Sequence, residues 1–311
     1  NGGGMYNIRS SPTLINIAFT ANAASQGGGI YNSSYSSPSL TGITFSSNSA
    51  SQGGGIYNSS YSNPTLIDVT FSANTAIFGG GGMYNSYSSP SLTDVTFFAN
   101  SAIDGGGMND YGSSPILTNV TFSTNLAEYN GGGMFNSNHS NPILMEVVFF
   151  NNSAASGGGM FNITSWLHLT NVTFTANTAS SGGGVYNSSG SPTLTNVTFF
   201  DNLASDVGGG MYNSSYSNSI LREVTFSANA AEYGGGMYNI DSNPTLINAV
   251  FSDNSANSNG GGMFTANSDP TMTNVSFYSN SAYLSGGGVY NSSSSPTLTN
   301  AILWGNTPDQ I

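Results

Sequence analysis

The sequence predicts an all-β solenoid: a parallel β-helix of about twelve coils, ~26 residues each, with three short strands per coil. Three observations carry this. First, a Gly-Gly-Gly stretch followed by an apolar residue, an aromatic and Asn recurs along the chain, as at Gly2–Asn7, Gly27–Asn32 and Gly286–Asn291, with starts 25 to 27 residues apart. Looser copies begin at Gly105 and Gly260. Second, each repeat carries an apolar cluster ending in Phe, or in Leu303 in the last repeat. Third, an Asn follows that Phe by three residues in every repeat. One elongated domain over residues 1–311 is expected, because a solenoid repeat needs its neighbours to bury its apolar side.

Taken in order, the repeat Gly27–Gln52 shows what each element is for. The glycines suit tight turning and close backbone approach. Strands are expected around Ile30, around Leu40 and through Ile43–Ser47, since the apolar residues are too short-spaced and Gly-interrupted for helices. Pro38 suits a strand start, where a missing N–H costs least. Leu, Ile/Val and Phe should point inward and stack on like residues one coil away, each burial contributing roughly 1.5–3 kcal/mol. Ordering a coil costs about 1–2 kcal/mol per residue in backbone entropy. A lone coil therefore cannot fold, whereas the stack can.

The slot after Phe is filled by Asn22, Asn48, Asn74, Asn100, Asn125, Asn152, Asn177, Asn202, Asn229, Asn254, Asn280 and Asn306. An exposed polar slot would drift among Ser, Asp and Asn, as its neighbours do. An amide both donates and accepts, so a structural Asn ladder between coils about 4.8 Å apart is expected, in preference to a ligand-binding row.

Composition excludes several partners. The chain has two Lys plus Arg against 14 acids, a formal charge of −12. So few cations cannot neutralise phosphates, which excludes nucleic acid, and no apolar run approaches the ~20 residues of a membrane span. With no cysteine, thiolate metal sites and disulfides are excluded, and no cofactor or metal is expected. The glycines lack the Lys and helix of a phosphate loop.

The pairing of GGG[MIV][YF]N with FxxNxA resembles the repeats of chlamydial polymorphic outer-membrane proteins, and those of large bacterial surface proteins built as right-handed parallel β-helices. The final Ile302–Ile311 segment is similar to one that closes such arrays ahead of a cell-surface anchor. The resemblance covers essentially the whole chain and implies a right-handed coil, secretion and surface display in a structural or adhesive role. It departs from the chlamydial proteins in having no cysteine.

Catalysis finds little to work with. A polysaccharide lyase needs a base beside carboxylates, and the only cations are Arg9 and Arg222. A glycosidase needs two carboxylates about 5–10 Å apart. Asp68 and Asp94 share one slot in adjacent coils, but its other occupants are Asn, Gly and Glu, which reads as a solvated face. A carbohydrate-binding or polysaccharide-degrading β-helix is the rival reading. An ice-binding Thr array, as at Thr44/Ser46 and Thr70/Ser72, is a minor one, broken by Phe98, Phe150, Phe200, Tyr278 and Trp304.

Strand alternation sends an aromatic column outward: Tyr6, Tyr31, Tyr57, Tyr84, Tyr186, Tyr212, Tyr238 and Tyr290, with Phe135, Phe161 and Phe264. Stacked rings supporting the sheet are the first reading of this column. The sharper one is contact with glycan or a neighbouring fibre, which a ladder of exposed rings larger than a normal surface patch suggests. A shorter set is Tyr35, Tyr61, Tyr87, Tyr111 and Tyr216. Among the sequons, Asn119, Asn171, Asn196 and Asn274 share a slot expected to be accessible to glycosylation. The chain spans a near-integral number of coils. Its expected partners are thus copies of itself, side by side or head to tail at roughly 57 Å per chain, or surface and matrix glycans. The alternative is a segment of a longer chain.

Overall fold

A computed structural model describes all residues 1–311. It contains no helix; every element is a strand, and every strand pairing is parallel. Each coil has three faces; the third is split into a four-stranded and a five-stranded sheet, joined in the remaining coils by isolated bridges. The first has twelve strands, one per glycine motif, from Met5–Ile8 to Val289–Ser292. The second holds the Leu and Phe segments. The third is a strand that the sequence pattern did not distinguish, beginning just after the ladder Asn, as in Ser49–Gln52 and Leu203–Val207. It is polar and short, so its only inward marker is one Ala per coil, such as Ala50 or Ala204.

The two expected strands of the second sheet are often one. In six coils the Leu and Phe segments fuse into an eight-residue strand, as in Thr65–Ser72 and Thr193–Phe200. A left-handed residue between the segments bends the strand. At Asn16, Asp68, Asp94, Asn119, Glu146, Asn171, Asn196, Glu223, Asn248, Asn274 and Asn300, φ lies between +51° and +57°. Gly42, at +62°, completes the row. Asn, Asp and Gly are the residues that tolerate this conformation best, which is why the slot holds them. The row read from sequence as merely solvated is a structural corner.

The core is a single cluster of 44 buried residues running the length of the coil stack. Its spine is a column of Phe rings from Phe19 to Phe277, stacked with centroids 4.6–5.1 Å apart and planes within 12°. Backbone register matches slot to slot, Phe97 on Phe71 and Phe122 and Leu92 on Leu66 and Leu117.

The glycines are each required for a different reason. Gly182, at φ +65°, takes a conformation that side chains resist. A Cβ on Gly183 would lie 2.5 Å from the Gly209 carbonyl oxygen of the next coil. One on Gly184 would lie 2.5 Å from the Gly210 carbonyl oxygen and also 2.9 Å from the Phe199 ring. Turn, coil contact and core contact follow one another in three residues.

The last residues pack against the final coil. Asn306 Nδ2 donates to Gln310 Oε1 at 2.7 Å, and Val289 N–H donates to the Gln310 carbonyl at 3.1 Å. Gly286 N–H donates to Asp309 Oδ1.

Candidate functional site: amide ladders and the aromatic face

The Asn after each Phe forms a continuous ladder, buried from Asn48 to Asn306. Asn177 shows the pattern. Its backbone N–H and its Nδ2 both donate to Asn202 Oδ1, at 3.1 and 3.0 Å, and Nδ2 also donates to the Phe149 carbonyl at 2.9 Å. Its own Oδ1 receives the same pair from Asn152. Asn177→Ala strands the Asn152 donors and the Phe149 carbonyl, at about 1–3 kcal/mol per unpaired group. A loss of about 3 kcal/mol is expected in urea unfolding, against almost none for Ser181→Ala. Equal losses would mean that the ladder carries no special weight.

A second ladder, which sequence reasoning missed, uses the Asn ending each glycine motif. Asn7 donates to Asn32, Asn32 to Asn58 and Asn58 to Asn85, at 2.8–2.9 Å. It resumes as Asn136, Asn162, Asn187, Asn213 and Asn239. The signal was available, because this Asn is nearly as constant as the other. Ser36, Ser62, Ser88, Ser113 and Ser140 form a third buried row, each hydroxyl accepting a backbone N–H from the preceding coil.

One rung of the second ladder is an acid. Asp110 is fully buried and accepts from Asn85 Nδ2 at 2.8 Å. Its Oδ2 and Asn136 Oδ1 are both buried with no partner among donors, yet the two residues face each other in register. A proton on Oδ2 resolves both, because a neutral carboxyl can donate where the other rungs donate an amide N–H. Burial pushes this carboxyl up to about 8, against the lowering effect of the Asn85 bond. The ladder breaks at Thr265, too short to receive Asn239 Nδ2, which is left unpartnered.

The aromatic column is less exposed than expected. Only Tyr6 is open to solvent; Tyr57, Phe161 and Phe264 are buried, while Tyr31, Tyr84, Tyr186, Tyr212, Tyr238 and Tyr290 are half-buried. The rings lie on one another, 5.2 Å and 4° for Tyr31–Tyr57, 5.1 Å and 2° for Tyr57–Tyr84. Beyond Phe135 the column tilts, with an edge contact at Tyr212–Tyr238. Side chains of the third sheet also cover it, as Tyr233 does against Phe264. Burial raises the hydroxyl of Tyr84 to about 12, helped by neighbouring Tyr57, and raises that of Tyr212 further. The column is chiefly a packed outer layer. Three tyrosines of the shorter set are more open: Tyr35, Tyr61 and Tyr216 are 60–78% exposed. All three are left-handed, φ +60° to +65°.

The column lacks one rung. Where the fifth coil should carry a ring it has Asn109, between Tyr84 and Phe135. A cavity of about 160 Å³ opens there, lined by Tyr84, Phe135, Asn109, Asp104, Gln52 and Gly79 among others. A larger depression of about 530 Å³ lies on the third sheet, but its walls are mostly apolar: Ala76, Ile77, Ala102, Ile103 and Leu126.

The corner Asn119, Asn171, Asn196 and Asn274 are all exposed. They join an outer amide row, Asn196 Nδ2 donating to Asn171 Oδ1 at 2.8 Å and Asn274 Nδ2 to Asn248 Oδ1 at 3.0 Å. Asp68 and Asp94 sit in the same row, exposed, and Asp94 accepts from Asn119. His139 stacks on Trp166 at 5.5 Å.

Residues 160–311 match the model of the right handed beta helix region. Residues 42–59 match the Chlamydia polymorphic membrane protein repeat. No curated protein matches the chain. Among solved structures, a mannuronic acid specific polysaccharide family 6 lyase from human gut microbiota aligns over 96% of this chain and 79% of its own. The identity is 12% and the TM-score 0.32, too low to bear on function. With its stacked parallel coils, the chain is a β-helix repeat protein, similar over residues 160–311 to the right handed beta helix region and over residues 42–59 to the chlamydial polymorphic membrane protein repeat.

Proposed function

We propose that this chain is an extracellular structural and adhesive β-helix, a surface fibre, stalk or adhesin segment that works through its outer faces and not through a reaction centre. The observation that carries the reading is coil-to-coil sameness: register, Phe column and Asn ladder continue across the stack with no convergence of acids and bases. Asp68 and Asp94 are corner residues first, selected for a left-handed backbone. The match to the chlamydial repeat favours surface display, and the exposed Asn119, Asn171, Asn196 and Asn274 are where attached glycans would sit.

Beads coated with the 311-residue chain should bind a glycan-bearing cell or matrix surface. The same protein should release no fragments from pectin, alginate or a host glycan. Cleavage that is lost in Asp68→Asn or Asp94→Asn would overturn the reading, as would beads that bind no better than uncoated ones.

A further inference from the structure

We propose that the missing rung at Asn109 is a binding site for one neutral pyranose ring of a glycan, lodged between Tyr84 and Phe135. The proposal rests on the surface-adhesive reading and gives it a place. Two departures from the repeat meet here. The ring slot holds Asn109, and the neighbouring row of third-sheet side chains, which runs through Gln26, Gln52, Asp104 and Asn130, holds Gly79. One shortens the floor and the other removes a wall. A Cβ on Gly79 would lie 3.2 Å from the Tyr84 ring and 2.5 Å from the Asn109 amide, so the cavity depends on that glycine.

The size and lining select the ligand. About 160 Å³ is the room of roughly five waters at about 30 Å³ each, which suits one sugar ring and little more. Rings one coil from the gap on each side can take the C–H faces of a pyranose, and polar groups at the rim can take its hydroxyls. Asn109 is buried, with Nδ2 only 3.4 Å from the Asp104 carbonyl, a weak bond that leaves its amide free to turn to a ligand. Asp104 is held by Asn130 Nδ2 at 2.8 Å through Oδ1, leaving Oδ2 as an acceptor. Gln52 accepts from Gln26 at 3.2 Å, but the next position in its row is Gly79, which offers its amide no acceptor. Two acceptor-bearing groups and an idle amide donor match vicinal hydroxyls. The Asp104 carboxylate and the net charge of −12 disfavour a uronate.

The site also has somewhere to send the rest of a glycan. Tyr111, at its rim, meets Tyr87 edge-on at 5.4 Å. Tyr87 in turn lines an open depression of about 470 Å³ with Tyr57, Ser59, Tyr61 and Ser86. Its tyrosines Tyr61 and Tyr87 are exposed with φ of +60° and +50°.

The test uses the whole chain, titrated by saturation-transfer NMR with the methyl glycosides of glucose, galactose, mannose and N-acetylglucosamine. At least one should saturate in the millimolar range, and methyl glucuronide should bind at least tenfold more weakly. Asn109→Tyr restores the ring carried by most other coils, so it should fold as well as the parent, by urea midpoint, while sugar binding falls at least tenfold. Tyr216→Ala, four coils away, should leave binding unchanged. No saturable glycoside, or undiminished binding by a folded Asn109→Tyr, would overturn the proposal. Bead adhesion measured on the same proteins separates the two readings. Adhesion without glycoside binding removes only the pocket, and glycoside binding without adhesion removes the adhesive role.

Discussion

Raising the pH from 4 to 8 should destabilise this chain by about 5 kcal/mol through one residue, Asp110. Its carboxyl stays neutral in the folded chain up to about 8, whereas it titrates near 3.8 when unfolded. Between those values the folded state holds one proton more than the unfolded state, so stability falls as pH rises, by at most about 1.4 kcal/mol per unit. Below 3.8 both states are protonated and the slope disappears. Asp110→Asn replaces the acid by the amide the ladder uses elsewhere, accepting from Asn85 and donating to Asn136. The variant should match the parent at pH 3.5 and exceed it by several kcal/mol at pH 8. Urea midpoints across that range decide the matter; parallel curves for the two proteins would mean that Asp110 is ionised or hydrated in the fold.

Gly183→Ala should destabilise the chain by about 4 kcal/mol. The new Cβ would meet the carbonyl oxygens of Gly209 and Leu203 at 2.5 and 2.6 Å. Both belong to the next coil's backbone, which is held in parallel pairing and cannot give way as a side chain could. Gly183 N–H itself donates to Gly208 at 3.1 Å, so moving the strand would break that bond as well. Ser181→Ala, two residues earlier, provides the baseline. A midpoint shift no larger than the baseline's would show that the coils can separate at this point.

The core and the first ladder were legible because their slots admit almost no substitution. Phe149 and Phe174 stack on identical rings, and Asn177 must donate twice and accept twice. The corner row was legible as a pattern but not as a cause, since the backbone preference shared by Asn, Asp and Gly, with Glu146 and Glu223 among them, resembles surface drift. The third-sheet strands escaped because Ser-Ala-Ser-Gln carries one inward methyl and no apolar run. The aromatic column was misplaced in degree: alternation sends Tyr84 outward correctly, but only packing against adjacent rings and the third sheet decides that it ends half-buried. As for the gap at Asn109, the sequence shows the substitution, while the cavity depends on Gly79 thirty residues earlier being adjacent in space.

Coils of unequal length stack here without losing alignment. The first two sheets keep strict register, whereas the third shifts by a residue between Ala76 and Gly79, Ala102 and Asp104, and Ala179 and Ser181. The third sheet thus serves as an expansion joint, taking up length differences that the Phe and Asn columns cannot tolerate. Duplication or exchange of whole coils during evolution would leave the spine intact and leave its mark along this seam and in the turn before the Pro, where Met108–Leu117 is one residue shorter than Met134–Leu144. The seam is where side chains are freest to differ, and it borders the single notch in the aromatic column.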